Sequence, residues 1–133
     1  MIIAVSSAGP DINSRVDVRF GRCPYFIIVE TVKKEIKSHR TIENISAGQV
    51  GGAGMSAAQR VADAKADAVI TGNIGPRAFR VFQQLGIDVY QGSGTVKGVV
   101  EEMLAGNLVR VRGATGPGHM GMPGGGRGKT GRW

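Results

Sequence analysis

The apolar positions along the chain change their period near residue 55. Met1 to Val5 is continuously apolar and reads as a buried strand. Tyr25 to Val32 is rich in aromatic and β-branched residues and reads as a second strand. Lys33-Lys34 makes a turn candidate. Glu35 to Ile45 alternates partially through Ile36 and Ile42, which predicts a more exposed third strand hairpinned to the second. Gly48 to Gly54 holds four glycines and interrupts the pattern. Then Met55, Ala58, Val61 and Ala62 recur at helical spacing, with an end near Lys65. Ala68 to Thr71 is a short buried strand. Pro76 opens a second helix as a first-turn proline, Ala78, Val81, Phe82 and Leu85 form its apolar stripe, and Gly86 ends it. Ile87 to Tyr90 is the next strand. Thr95 caps a third helix carrying Val96, Val99, Val100, Met103 and Leu104, and Gly106-Asn107 stops it. Leu108 to Val111 is a last extended piece.

Three strands followed by helix–strand alternation predict an α/β protein with a mixed sheet. An antiparallel hairpin lies on one side and parallel βα units on the other. Open sheets of this kind place sites at the carboxyl ends of strands. That selects three loops, residues 6–14, 72–75 and 91–94.

Composition divides the chain in two. Residues 1–112 read as one folded domain. From Gly113 onward stands "GATGPGHMGMPGGGRGKTGRW", with nine glycines and no apolar period. Such a segment buries too little surface to offset its ordering entropy, so 113–133 is expected to be a disordered, basic, glycine-rich tail. The formal charge is +7. Five cations, Arg110, Arg112, Arg127, Lys129 and Arg132, follow Val109 with no acid among them. A basic balance of this size suggests a polyanionic partner, but here it comes mostly from the tail, where only Trp133 is able to stack on a base, so a nucleic-acid-binding or partner-docking protein acting through this tail is the alternative and weaker reading. The single cysteine, Cys23, rules out an internal disulfide and paired-cysteine zinc sites. With no secretory leader and no membrane-length apolar run, the expected setting is the cytoplasm, with no membrane partner.

Several motifs fall short of the chemistry they suggest. "PGGGRGKT" has Pro123 where a phosphate loop needs its first glycine, with no strand before it and no room for the helix after it. "GAGMSA" from Gly52 resembles a dinucleotide fingerprint but follows a loop, and no acid stands near Asn73. The reading preferred here is a loop leading into a closely packed helix start, whose N–H groups are still able to hold an anion. "HMGM" at His119 offers an imidazole and two thioethers, a soft set suited to Cu(I), although a low-complexity tail carries such residues without a metal role. His39 lies among charged residues. Neither histidine lies in the expected core, so no serine–histidine–acid set forms.

Three stretches carry a stronger signal: "VDVRFGRCPYFIIVE", "GGAGMSAAQRVADAKADAVITGNIGP" and "VITGNIGPRAFRVFQQLGIDVYQGSGTVKGVVEEMLAGNL". Together they resemble the dinitrogenase iron–molybdenum cofactor biosynthesis family over residues 1–111, with Thr71 to Pro76 after a strand as the most specific element. The resemblance implies a ribonuclease H-like three-layer fold, with a mixed five-stranded sheet flanked by helices. It also implies a role in binding or carrying an anionic metal–sulfur cluster, either an iron–molybdenum cofactor precursor or a molybdenum–copper sulfide of the kind held by the orange protein of sulfate reducers without protein–metal bonds. Cofactor-assembly proteins are the implied partners. Relatives often carry histidine where this chain has Arg19, so an imidazole–metal bond is excluded at that position. They often carry alanine where this chain has Cys23, which favours a packing role for the thiol. Nuclease chemistry needs carboxylates on the first strand, and "MIIAV" has none. No catalytic residue and no direct metal ligand are expected.

The residues themselves suggest an anion cradle. Asn73, Gly75 and the start of the Pro76 helix offer N–H groups at the positive end of a helix dipole. Gly72 and Gly75 permit close backbone approach. Arg19, Arg22 and Arg77 add charge-assisted hydrogen bonds. Gly92, Gly94 and Thr95 form a second helix start.

Overall fold

A computed structural model describes residues 1–115. Most of the expected tail, including the phosphate-loop look-alike and His119, lies outside the described residues. The order of elements is β1 (Ile2–Ser7), β2 (Tyr25–Val32), β3 (Glu35–Glu43), α1 (Ala53–Asp63), β4 (Ala68–Thr71), α2 (Pro76–Leu85), β5 (Asp88–Gln91), α3 (Val96–Leu104) and β6 (Val109–Arg110).

The strands form one mixed sheet in the order β3-β2-β1-β4-β5-β6. β2 is antiparallel to β1 and β3, whereas β1, β4 and β5 run parallel. The sheet has six strands rather than the five expected. β6 pairs antiparallel with β5 through only Tyr90↔Arg110 and Gln91↔Val109, and two residues are too short to show a strand period. The β2–β3 hairpin turns on Lys33 and Lys34, both in left-handed conformation with φ of 54° and 65°. A two-residue hairpin loop with two positive φ values matches the right-handed twist of its strands, although asparagine and glycine are its usual occupants.

Alternation along the strands sorts the core to two faces. Ala4, Ile28, Val69 and Val89 point to one side, where they pack with Ala57, Ala58 and Val61 of α1 and Ala78 and Phe82 of α2. Ile3, Val5, Ile27, Val29 and Ile70 point to the other, against Val96, Val99 and Val100 of α3. The layers are therefore helices, sheet, helix, and α3 stands on the opposite face from α1 and α2. No helix among the described residues is long and apolar enough to cross a membrane.

Candidate functional site

The starts of α1 and α2 face each other. α1 begins at Ala53, two residues before Met55 where the periodicity placed it, because Gly52 takes a left-handed conformation (φ 71°) and serves as its N-cap. A Cβ on Gly54 would stand 3.6 Å from the Cβ of Ala78 in α2, so the helices meet closely here. α2 begins at Pro76 behind the N-cap Gly75. Between the two starts lies a cleft of about 320 Å³, lined on one side by Gly51 to Met55, on another by Gly75 to Ala78, and floored by Phe20, Gly21 and Arg22. Among the described residues, no aspartate or glutamate lines it.

Backbone accounting shows why this cleft attracts anions. In α1 the first N–H that bonds back is Ser56, to Gly52 O; in α2 it is Phe79, to Gly75 O. Among the described residues, the N–H groups of Ala53, Gly54, Met55, Arg77 and Ala78 have no partner. Two helix starts thus aim unpaired donors and the positive ends of their dipoles at one space. Arg22 and Arg77 line the same space, with no carboxylate paired to either among the described residues. The Arg22 guanidinium donates to Ala47 O at 2.9 Å and to Gln49 O, which ties it to the loop leading into α1.

The remaining candidates are placed differently. Asn73 N–H is already given to Val18 O, and Asn73 O accepts from Phe20 N–H. Gly72 lets the Val18 backbone lie against β4, since a Cβ there would fall 2.6 Å from Val18 Cα. Both residues hold the 18–20 segment in position beneath the cleft. Arg19 is not a free cation. Its Nε and Nη2 each donate to Asp17 at 3.1 Å. Burial pushes the Asp17 carboxyl up, but the bonds from the Arg19 side chain and backbone outweigh it and leave the group below its ordinary value.

The start of α3 is closed. Val96 N–H donates to Ser14 O, Lys97 N–H to Ile12 O, and Gly98 N–H to the capping hydroxyl of Thr95. Gly92 donates to Thr71 O and packs on Val99 and Ile70, while Gly94 O accepts from Val16. The pair of open helix starts is therefore α1 with α2, rather than α2 with α3. Gly51, Gly52 and Gly54 belong to the cleft, and the "GGAG" run was their signal in the sequence. Asn44 was not marked by any motif. Its buried side chain donates to Cys23 O at 2.7 Å and Gly21 O at 3.2 Å, joining the loop after β3 to the cleft floor.

Cys23 packs. It is fully buried among Phe20, Phe26 and Ala57, and its thiol donates to Phe20 O. Burial first, then the Asp17 charge, push it up to about 12. The unfolded thiol ionises near about 8.5, so the native state holds its proton over a window in which the unfolded state loses it. This contribution is fully present below about pH 8.5 and is lost as pH rises toward 12, by up to about 1.4 kcal/mol per pH unit. Cys23→Ala is expected to flatten that loss in denaturant titrations between pH 9 and 11. Native Cys23 is also expected to react with iodoacetamide only as fast as the protein opens, and rapid alkylation would contradict the packing role.

Fold and cleft together define a small α/β protein with a basic cleft at the carboxyl ends of its strands. The chain belongs to the dinitrogenase iron-molybdenum cofactor family, which it matches over residues 1–106. It is 45% identical over 83 residues to an uncharacterized protein of Methanocaldococcus jannaschii, covering 62% of this chain and 70% of that one. Among solved structures it is similar to the apo form of the orange protein from Desulfovibrio gigas, with 34% identity and a TM-score of 0.81 over 86% of this chain and 96% of that one. A NifB candidate from Thermotoga shares 30% identity with a TM-score of 0.69, over 80% and 90% of the two chains.

Proposed function

We propose that the protein binds and carries an anionic metal–sulfur cluster without transforming it, and that the cluster rests between the starts of α1 and α2. The observation that carries this reading is the convergence of two open helix starts with Arg22 and Arg77 on a cleft that no carboxylate lines among the described residues. Membership of a family named for iron–molybdenum cofactor, and similarity to an orange protein whose structure is described as an apo form, support a cluster as the cargo. The strand order, with β2 antiparallel at one side of a parallel set, supports the ribonuclease H-like reading of the fold.

The mode of holding follows from the donors present. N–H groups and guanidinium groups grip the outer sulfur atoms of a cluster, not its metal ions. Among the described residues no three of histidine, cysteine, aspartate and glutamate gather as a metal site. Sulfide-rich clusters such as thiomolybdates carry negative charge over their whole surface, so peripheral hydrogen bonds suffice to orient them. An iron–molybdenum precursor and a molybdenum–copper sulfide both meet this requirement. The reading assigns binding to residues 1–112, in the cytoplasm, with cofactor-assembly proteins as donors or acceptors.

The test is anaerobic incubation of full-length protein with tetrathiomolybdate plus copper or iron, followed by desalting and metal analysis. Retention at a fixed metal ratio is expected. Each charge-assisted hydrogen bond is worth about 1.5–3 kcal/mol, so Arg77→Ala should weaken retention at least tenfold. Thr95→Ala removes the α3 cap at a cost of about 1 kcal/mol in stability and should leave retention unchanged. Metal that washes through wild-type protein would overturn the proposal.

A further inference from the structure

We infer that the cleft discriminates between sulfide and oxide on the surface of its cargo, holding thio-anions and rejecting molybdate, sulfate and phosphate, with Met55 as a specificity-determining residue. This rests on the cluster-binding reading and adds what the same site refuses. Helix starts and arginines attract any anion, so charge alone would leave the cleft open to every small oxyanion. The side chains at its mouth supply the discrimination. Those that line the cleft and are exposed are Arg22, Met55, Pro76 and Arg77, two guanidinium groups and two apolar groups. Behind them Phe20, Ala53 and Ala78 are buried and apolar. Among the described residues, no lining side chain carries a hydroxyl, an amide or an ammonium group. Phosphate loops differ at this point, because they add a lysine and a serine or threonine hydroxyl to their backbone N–H groups.

Met55 has no other evident task. Its helical spacing marks it for the apolar stripe of α1, but the buried face of that helix is made by Ala53, Ala57, Ala58 and Val61. Met55 stays 47% exposed and lines the cleft. Molybdate and tetrathiomolybdate share metal, charge and tetrahedral shape, and differ only in oxygen against sulfur. An oxo group is compact and strongly hydrated. Pressed against Met55 or Pro76, it gives up hydrogen bonds from water and receives none in exchange. A sulfido group is larger and more polarisable, so it loses less on leaving water and gains dispersion contact with the thioether. The two guanidinium groups suit it as well, since guanidinium is more weakly hydrated than ammonium. Two oxo hydrogen bonds left unreplaced correspond to about a hundredfold in affinity.

The experiment is anaerobic titration calorimetry with tetrathiomolybdate and with molybdate, at one ionic strength, on full-length wild type, Met55→Gln and Met55→Leu. Both replacements suit an exposed helix position. Wild type is expected to bind tetrathiomolybdate at least about a hundredfold tighter than molybdate. Met55→Gln keeps the length of the side chain and brings an amide donor, so it should narrow that ratio by about tenfold, chiefly through tighter molybdate binding. Met55→Leu keeps an apolar face and should hold the ratio within about threefold of wild type. Wild-type affinities for the two anions within about tenfold of each other would overturn this inference while leaving the cleft reading intact. A ratio that Met55→Gln leaves unchanged, or that Met55→Leu narrows as far as Met55→Gln, would overturn the role of Met55. Failure of wild type to bind either anion would overturn the cleft reading, and this inference with it.

Discussion

Phe82→Ala is expected to lower the unfolding free energy by about 3–5 kcal/mol, the usual cost of emptying a large aromatic site. Phe82 is fully buried in α2. Its ring meets Phe20 edge-on, with centroids 5.3 Å apart, and Phe20 in turn lies 5.3 Å from Phe26 of β2. The three rings join α2, the sheet and the segment before Gly21. Removing the Phe82 ring leaves a cavity beside the central ring, and Phe20 cannot fill it without moving the cleft floor. Chemical denaturation should show a lower midpoint, and the surviving folded protein should retain less anion. A loss below about 1 kcal/mol would mean that the aromatic cluster is not the joint between floor and helix.

Gly21→Ala is expected to damage the cleft more than the fold. A Cβ at this position would stand 2.8 Å from both the Cα and the N of Gly54, at the start of α1. Both obstacles are backbone, so no side chain is able to swing aside. Overpacking of this kind costs about 1–3 kcal/mol. The strain acts where the floor meets one of the two helix starts, and it separates Gly54 N–H from the space it shares with α2. Retention of tetrathiomolybdate should therefore fall by more than an order of magnitude in protein that still unfolds cooperatively. Wild-type retention in Gly21→Ala would show that the start of α1 does not contact the anion.

Much of the fold was legible because local chemistry marked it. Pro76 and Gly86 bracket α2, and Gly86 takes the left-handed conformation that ends it. The apolar run of Tyr25 to Val32 coincides with β2. The site was less legible, for reasons that lie outside any local window. Which helix starts share a cleft depends on which sheet face each helix covers, and only the assembled core sends α3 to the side opposite α1 and α2. Whether a helix start is open depends on distant chain: the α3 donors are consumed by Ile12 and Ser14. Arg19 reads as a ligand-binding cation in the sequence, but Asp17, two residues earlier, holds its guanidinium at 3.1 Å. The "GGAG" run read as loop and packing, and its glycines do both, yet the same open helix start forms one wall of the cleft.

The central claim is that α1 and α2, and not α3, present their open starts to an anion. Amide proton–nitrogen NMR spectra of labelled protein, titrated anaerobically with tetrathiomolybdate, test it most directly. Saturable shifts at Ala53, Gly54, Met55, Arg77 and Ala78, with Val96, Lys97 and Gly98 unmoved, are the predicted result. Shifts centred on residues 96–98, or none that saturate, would contradict it.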